Sequence, residues 1–171
     1  ELKNIFVRNA VKEAVPGTGG YSTTKMSTPD YLTGNYTGSS GTVAYLANSV
    51  TPPVSVGTEH KTDYWFYILP NEEATRTALV LEGTFKKSAS DAGTTIYYPI
   101  IVNKSQTGTN ITGASGTGTS NIARNTTYAI KAIIKNIGTG DPTGEINPTS
   151  LELTVSVADW ALNITQDVTF E

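Results

Sequence analysis

The sequence predicts an all-β fold, a two-sheet β-sandwich of about seven strands joined by long polar loops, and three observations carry that prediction. Apolar residues recur with period 2, not 3.6, along the apolar stretches. The composition is that of strands and turns, with 28 Thr, 16 Gly, 13 Ser and 12 Asn among 171 residues. Thr suits a pleated, half-buried surface, and the other three suit turns. No segment has the spacing of a long amphipathic helix, and residues 9–14 would form one helical turn at most. The length suits one domain or two small ones and allows a real core, and the reading taken is a single domain, residues 1–171.

Each element follows from its own residues. Ile5 and Val7 alternate with Phe6 and Arg8 in a first short strand. Residues 16–62 are rich in Tyr, Gly, Ser and Thr, with turn marks at Pro16-Gly17, Gly19-Gly20, Gly34-Asn35 and Pro52-Pro53. So long a connection does not stay structureless in a compact domain. It wraps the domain as an ordered loop or carries short strands, with residues 42–46 as one candidate. Residues 63–69, DYWFYIL, read as a strand with Tyr64, Phe66 and Ile68 on one face and Trp65, Tyr67 and Leu69 on the other. Pro70-Asn71 ends it. Residues 77–85, TALVLEGTF, put Leu79, Leu81 and Phe85 on one face, with Gly83 marking a bulge. Residues 86–94 form a polar hairpin turn. Residues 96–102, IYYPIIV, make an edge or bulged strand, because Pro99 has no N–H to give a ladder. Residues 103–121 are nearly all Ser, Thr, Gly and Asn and read as a mobile surface loop. Residues 127–134, TYAIKAII, place Tyr128, Ile130, Ala132 and Ile134 opposite Lys131 and Lys135. Residues 138–148 are a second turn-rich loop. The predicted core takes one face of each strand and includes Phe66, Ile68, Leu79, Leu81, Ile100, Ile130 and Ile134.

Charge and composition exclude several functions. Twelve Lys and Arg against 15 Asp and Glu give a net charge of −3 with no basic cluster, which argues against nucleic acid and anionic membrane. The absence of Cys removes a disulfide framework, a thiolate metal site and a Cys nucleophile. The single His60, between Glu59 and Lys61, reads as a surface residue and leaves no support for a multi-His metal site or a Ser-His-Asp triad. Mean hydropathy is −0.20, and no apolar run is long enough to span a bilayer. The expectation is a protein that is no enzyme and needs no cofactor. With neither initiator Met nor signal peptide, the chain reads as a processed product or fragment.

The C-terminal segment is the most informative. Apolar residues occupy odd positions at Leu151, Leu153, Val155 and Val157, then even positions at Trp160, Leu162, Ile164, Val168 and Phe170, with Gln166 interrupting. One strand cannot change phase without a bulge or break. The segment therefore reads as two strands joined at Asp159. The second would span roughly 35 Å over its eleven residues at about 3.3 Å each. It either closes its own sheet at an edge or completes another subunit by strand addition.

The order of segments FYILPN, TALVLEGTF, IYYPIIVN, ARNTTYAIKAIIKNIGTG and LELTVSVADWALNI resembles the C-terminal domain of Bacteroidales fimbrillins, the type V pilus subunits, particularly shaft subunits of the short-fimbria kind. The matching motifs are Arg124-Asn125 to Tyr128, leading into a strand and Gly, and Asp159-Trp160; the resemblance is strongest from Tyr64 onward. It implies transthyretin-like β-sandwiches, export as a lipoprotein to the outer membrane, and a cell-surface fimbria with roles in adhesion and virulence. It implies polymerisation in which a C-terminal strand fills a groove that proteolysis has opened in the neighbouring subunit. The chain is shorter than a full shaft subunit and has no lipidation Cys, so it reads as the C-terminal part, with the acceptor groove wholly or partly elsewhere. On this resemblance residues 161–171 are the donor strand, Leu162, Ile164, Val168 and Phe170 are the strand-exchange residues, and Asp159 and Trp160 are the hinge anchor. The implied partners are other copies of the subunit, accessory pilins and host surface proteins, with no membrane contact by this fragment.

Tyr64, Trp65, Tyr67, Tyr97 and Tyr98 suggest a sugar-stacking platform or cross-strand packing. With loop 103–121 they define the alternative function, a surface module binding carbohydrate or host protein. Asp141 and Glu145 flank a turn with too few oxygens for calcium. Gly113 to Gly118 lacks the strand and helix of a phosphate loop. Glu72, Glu73 and Glu82 form no acid–base arrangement. Asn-x-Ser/Thr sequences at Asn35, Asn110, Asn125 and Asn163 follow from Asn and Thr richness.

Overall fold

The computed structural model describes residues 1–11, 36–38, 41–43, 47–55, 64–71, 76–105, 109–113, 117–145 and 150–159. Nine strands occur among them: β1 (Leu2–Arg8), β2 (Tyr36–Gly38), β3 (Gly41–Val43), β4 (Ala47–Val54), β5 (Ala78–Phe85), β6 (Thr94–Ile101), β7 (Thr109–Gly113), β8 (Thr126–Ile134) and β9 (Leu151–Asp159). Seven of them build two sheets, one ordered β4-β1-β5-β6 and the other β7-β9-β8, while β2 pairs with β3 alone. There is no α-helix among the described residues. The two sheets face each other across one apolar cluster: Ile5, Val50, Leu81, Tyr98 and Ile100 from the first, Leu151 and Leu153 from the second, flanked by Ile130 and Ala132. This is the predicted β-sandwich.

Strand β9 is the clearest case of sequence becoming structure. Leu151, Leu153, Val155 and Val157 are buried, and Glu152, Thr154, Ser156 and Ala158 are exposed. The period-2 pattern puts all four apolar groups on the core face. β9 lies in the middle of its sheet, parallel to β7 and antiparallel to β8.

The four-stranded sheet departs from the one-sided pattern. Ile5 and Leu81 share a row, and so do Phe6 and Val80 on the opposite face, yet all four are buried. Part of the cover on that second face comes from the loop after β8, where Thr143 accepts a hydrogen bond at 2.8 Å from Arg8 Nη1. The expectation that the core takes one face of each strand therefore fails for β1, β5 and β6.

The hairpin between β5 and β6 forms as predicted. Its turn is held by Asp91, whose carboxylate accepts from Lys87 N–H and Gly93 N–H, both at 3.0 Å. Those two bonds hold the Asp91 carboxyl below the usual carboxylate range. Gly93 has φ +87°, a conformation L side chains avoid. β6 is an edge strand, the first of the two arrangements expected from Pro99. Gly83 was expected to mark a bulge. The register shift lies on the partner strand, between Leu2 and Asn4, directly opposite it. The chain start approaches so closely that a Cβ on Gly83 would lie 2.5 Å from the Glu1 carbonyl oxygen.

Other expectations need correction. Pro52-Pro53, read as a turn, lies inside β4, where an edge position tolerates missing N–H groups. The long irregular stretch carries β2, β3 and β4, and β3 covers the start of the candidate strand at 42–46. Residues 64–70 join no ladder among the described residues, although their burial alternates as predicted. Tyr64 and Phe66 pack on the main core, and Ile68 packs with Phe66 and Leu79 against Val7 and Ala10. Residues 103–121, read as a loop, contain β7, because a polar strand needs only a backbone partner and β9 supplies one. Of the predicted core, Leu81 and Ile100 are buried, Phe66, Leu79 and Ile130 pack on their cluster, and Ile68 packs on the separate cluster of Val7 and Ala10. Ile134, the last residue of β8, is 43% exposed and is not part of the core, although its cross-strand partner Leu151 is.

Buried amides join the connections between strands. Asn71 is fully buried and exchanges backbone hydrogen bonds with Ile122 at 3.0 and 2.8 Å. Its side chain donates to Thr77 Oγ1 at 2.7 Å and to the Asn9 carbonyl at 3.3 Å. Asn103, also buried, donates to the Asn121 carbonyl at 3.0 Å and accepts from Gly118 N–H at 2.8 Å.

Candidate functional site

The predicted hinge begins at the end of β9. Asp159 is exposed and pairs with Thr126 across the ladder. Trp160 and the predicted donor residues Leu162, Ile164, Val168 and Phe170 lie outside the described residues. β9 has a neighbour on each side from Leu153 to Val157 and β8 alone beyond that, and its odd-numbered side chains from Leu151 to Val157 fill the core of its own domain. A continuation in the opposite phase cannot present its apolar face to that same core without a twist or a change of sheet.

The sandwich has four sheet edges among the described residues, and they differ. β4 carries Pro52 and Pro53. β6 carries Pro99, and a loop covers it: Tyr97 N–H donates to Thr139 O at 2.7 Å, and Thr139 N–H donates back at 2.9 Å. Gly138 lies so close to Tyr97 that a Cβ there would come within 2.4 Å of its carbonyl oxygen. β7 is five residues long and ends at Gly113, whose φ is +119°. β8 is nine residues long with neither Pro nor Gly, and Ile133 beside its end is 41% exposed. Long, unbroken edges are what sheet proteins normally blunt.

The loop that covers β6 is held by charge and by one phenol. Glu145 Oε1 accepts from Lys104 Nζ at 2.6 Å and from Arg76 Nη1 at 2.8 Å. The Lys104 hydrogen bond, with the Arg76 charge, holds its carboxyl below the usual range. Asp141 accepts from both Thr143 N–H and Thr143 Oγ1, which lowers its carboxyl too. Tyr98 donates its hydroxyl to the Asn136 carbonyl at 2.9 Å, and burial pushes its phenol up. Asp141 and Glu145 are thus engaged in turn and ion-pair contacts, and no group of three or more candidate metal ligands occurs among the described residues.

The aromatic candidates divide. Tyr98 is in the core, and Tyr64 and Tyr97 are partly buried. Trp65 and Tyr67 project outward at 68% and 74% exposure, with Leu69 beside them. Sequence alternation placed these three on a shared face but did not say it was the outer one. Glu82 accepts from Asn4 Nδ2 at 3.1 Å, a structural bond. Gly113 ends β7, so the supposed phosphate loop begins in a strand. His60, Glu72, Glu73, Asn35 and Asn163 lie outside the described residues. Among the described residues no helix is long and apolar enough to cross a membrane. The exposed Ile133, Ile134 and Ile137 were not singled out from the sequence as a surface group. The run of isoleucines at a strand end was the available signal.

Two solved structures are similar in fold. A fimbrilin from Porphyromonas gingivalis W83 aligns with TM-score 0.55 and 22% identity, covering 92% of this chain and 50% of its own. A putative cell adhesion protein from Parabacteroides distasonis ATCC 8503 aligns with TM-score 0.51 and 19% identity, covering 94% and 52%. The chain therefore spans about half the length of each. No curated protein matches the sequence. Residues 18–160 match the family described as FimA4 pilin C-terminal domain, a span that contains β2 to β9 and leaves out β1. With most of the chain matched and the same fold in a fimbrilin, this chain belongs to the FimA4 pilin C-terminal domain family.

Proposed function

We propose that this chain is the C-terminal domain of a fimbrial shaft subunit at the cell surface. It polymerises by giving residues 161–171 as a β-strand to a neighbouring subunit. The observation that carries the reading is the pilin family match over residues 18–160, directly followed by a segment whose apolar phase is opposite to that of β9. Both flanks of β9 are occupied from Leu153 to Val157, and its apolar face there is filled by its own core, which supports a donor segment that finds its apolar surroundings elsewhere. Burying Leu162, Ile164, Val168 and Phe170 in a neighbour contributes roughly 6–12 kcal/mol at about 1.5–3 kcal/mol each, before ordering costs. Trp160 anchors the hinge in its own domain, and Gln166 meets a polar part of the acceptor. The partners are other copies of the subunit and accessory pilins, and no catalytic step is assigned. Truncation after Trp160 in the full-length subunit tests the reading. The expected result is an intact fold with polymerisation lost; unchanged polymerisation removes the donor assignment.

The exposed pair Trp65 and Tyr67 favours a second reading, binding of carbohydrate or host protein through stacking aromatics. Glycan-array or host-protein binding that survives the truncation but is lost in Trp65→Ala would favour it.

A further inference from the structure

We propose that one open end of the sandwich, centred on Ile134 and Ile137, docks the domain that precedes Glu1 in the full-length subunit. The docking rests on the reading of this chain as the C-terminal domain of a longer subunit, and it names the surface that receives the rest of that polypeptide.

The two ends of the sandwich differ. Where β1 and β6 finish and β5 begins, the core is sealed. Ala10, Val11, Val102 and Ile122 are at most 5% exposed there. The buried Asn71 and Asn103 amides bond the connections together at that end. Where β1 and β6 begin and β5 finishes, apolar groups stay open. Leu2, Val54 and Ile96 pack on the main cluster only in part, and Phe85, on the core face of β5, is half-buried. β8 adds Ile134, which shares a face with its buried partner Leu151 yet is 43% exposed. Ile137 follows at 51% exposure, just before Gly138 and Thr139 close on Tyr97 of β6. Ion pairs rim this surface, Lys135 with Glu152 at 3.0 Å and Lys86 with Glu1 at 3.7 Å. An apolar surface inside a polar rim marks an interaction site.

The occupant follows from the length of the relatives and from where the polypeptide enters. The matched family is a C-terminal domain, and this chain covers 50% and 52% of the two similar structures. A preceding domain reaches this one at Glu1, and Glu1 sits at the open end. Glu1 N donates to the Thr84 carbonyl at 2.9 Å, and Thr84 N–H donates back to the Glu1 carbonyl at 2.8 Å. The entering chain is therefore held in the ladder from Glu1 onward, beside the end of β5. A domain delivered at that point meets the open surface at high local concentration, so a modest apolar contact holds it. A second copy of the subunit has no such tether.

Photo-crosslinking in the full-length subunit, kept monomeric by dilution and checked by size exclusion, tests the assignment. p-Benzoylphenylalanine in place of Ile134 or Ile137 should give intramolecular cross-links to residues that precede Glu1, mapped by mass spectrometry. The same probe in place of Ile133 should give few, because Ile133 pairs with the exposed Glu152 on the outer face of β8. Adding Ile137→Asp should lower the cross-link yield from position 134 by about tenfold or more, since a charge then replaces a buried apolar group. Circular dichroism checks that each variant is folded, and the probe variants alone decide the matter if Ile137→Asp does not fold. Cross-links between copies only, an equal yield from position 133, or none from 134 and 137 would overturn the docking. If truncation after Trp160 leaves polymerisation unchanged while the intramolecular cross-links form, strand donation falls and the docking stands. If the cross-links are absent while that truncation abolishes polymer, the docking falls alone.

Discussion

Glu145 ties together segments that are far apart in sequence, since Arg76 precedes β5, Lys104 follows β6 and Glu145 closes the loop after β8. Both pairs are partly exposed, so each contributes only about 0.2–1 kcal/mol. Glu145→Gln should therefore lower stability by roughly 0.4–2 kcal/mol, read as a urea midpoint at neutral pH. The folded-state pKa of Glu145 is depressed. Its contribution is present above the ordinary glutamate range and is lost as pH falls through the depressed value. The difference between wild type and Glu145→Gln should accordingly vanish in acid, and a difference that persists at low pH would remove the ion-pair explanation. Asn71 makes a stronger case, because it is fully buried. Asn71→Ala removes the amide donor to both Thr77 Oγ1 and the Asn9 carbonyl, leaving them only the long 3.4 Å bond between each other, and should cost about 1–3 kcal/mol. Thermal denaturation measures it, and a neutral result would mean that water replaces the amide.

At the scale of the element, β9 tests whether alternation alone assigns faces. Val155 is buried and Ser156 is exposed next to it. Val155→Asp should prevent folding, since it places a charge in the core, whereas Ser156→Asp should stay within about 0.5 kcal/mol of wild type. Equal effects would show that β9 is not held between core and solvent. β7 makes the complementary case, a strand with almost no apolar content that depends on its backbone alone. At Gly113 a Cβ would lie 1.7 Å from the Val157 carbonyl oxygen, and φ is +119°. Gly113→Ala should detach the end of β7 from β9 and cost more than the roughly 1–3 kcal/mol of backbone strain alone. Loss of amide protection in residues 109–113 with β8 still protected is the expected hydrogen-exchange result.

For the whole molecule, the question is whether two sheets make one cooperative unit. Leu151 and Leu153 are the residues of β9 that enter the shared cluster with Ile5, Val50, Leu81, Tyr98 and Ile100. Leu153→Ala should cost about 2–5 kcal/mol. If the core is shared, amide protection should fall in β5 of the opposite sheet as much as in β8. A loss confined to β7, β8 and β9 would mean that the sheets unfold separately. The loop through Asn136, Thr139, Thr143 and Glu145 strengthens the expectation of one unit, because it leaves one sheet and bonds to the edge and far face of the other.

Local chemistry was enough to determine the all-β class, the hairpin turn within residues 86–94, the confinement of Pro99 to an edge or bulged strand, and the alternating face of β9. In each of these, the residues that set the geometry are neighbours along the chain, and period 2 or a missing N–H acts locally. The family was legible too, because its motifs are contiguous. Tertiary structure decided the rest. Whether Pro52-Pro53 turns or lies in an edge strand depends on which strand sits beside it. A polar segment such as 109–113 becomes a strand only when β9 offers its backbone, and composition carries no record of that partner. The exposure of Trp65 and Tyr67, and the burial of Phe6 and Val80 on a second face, likewise depend on what the rest of the fold lays against each face. Pairing partners and covering loops are long-range choices, so no window of sequence contains them.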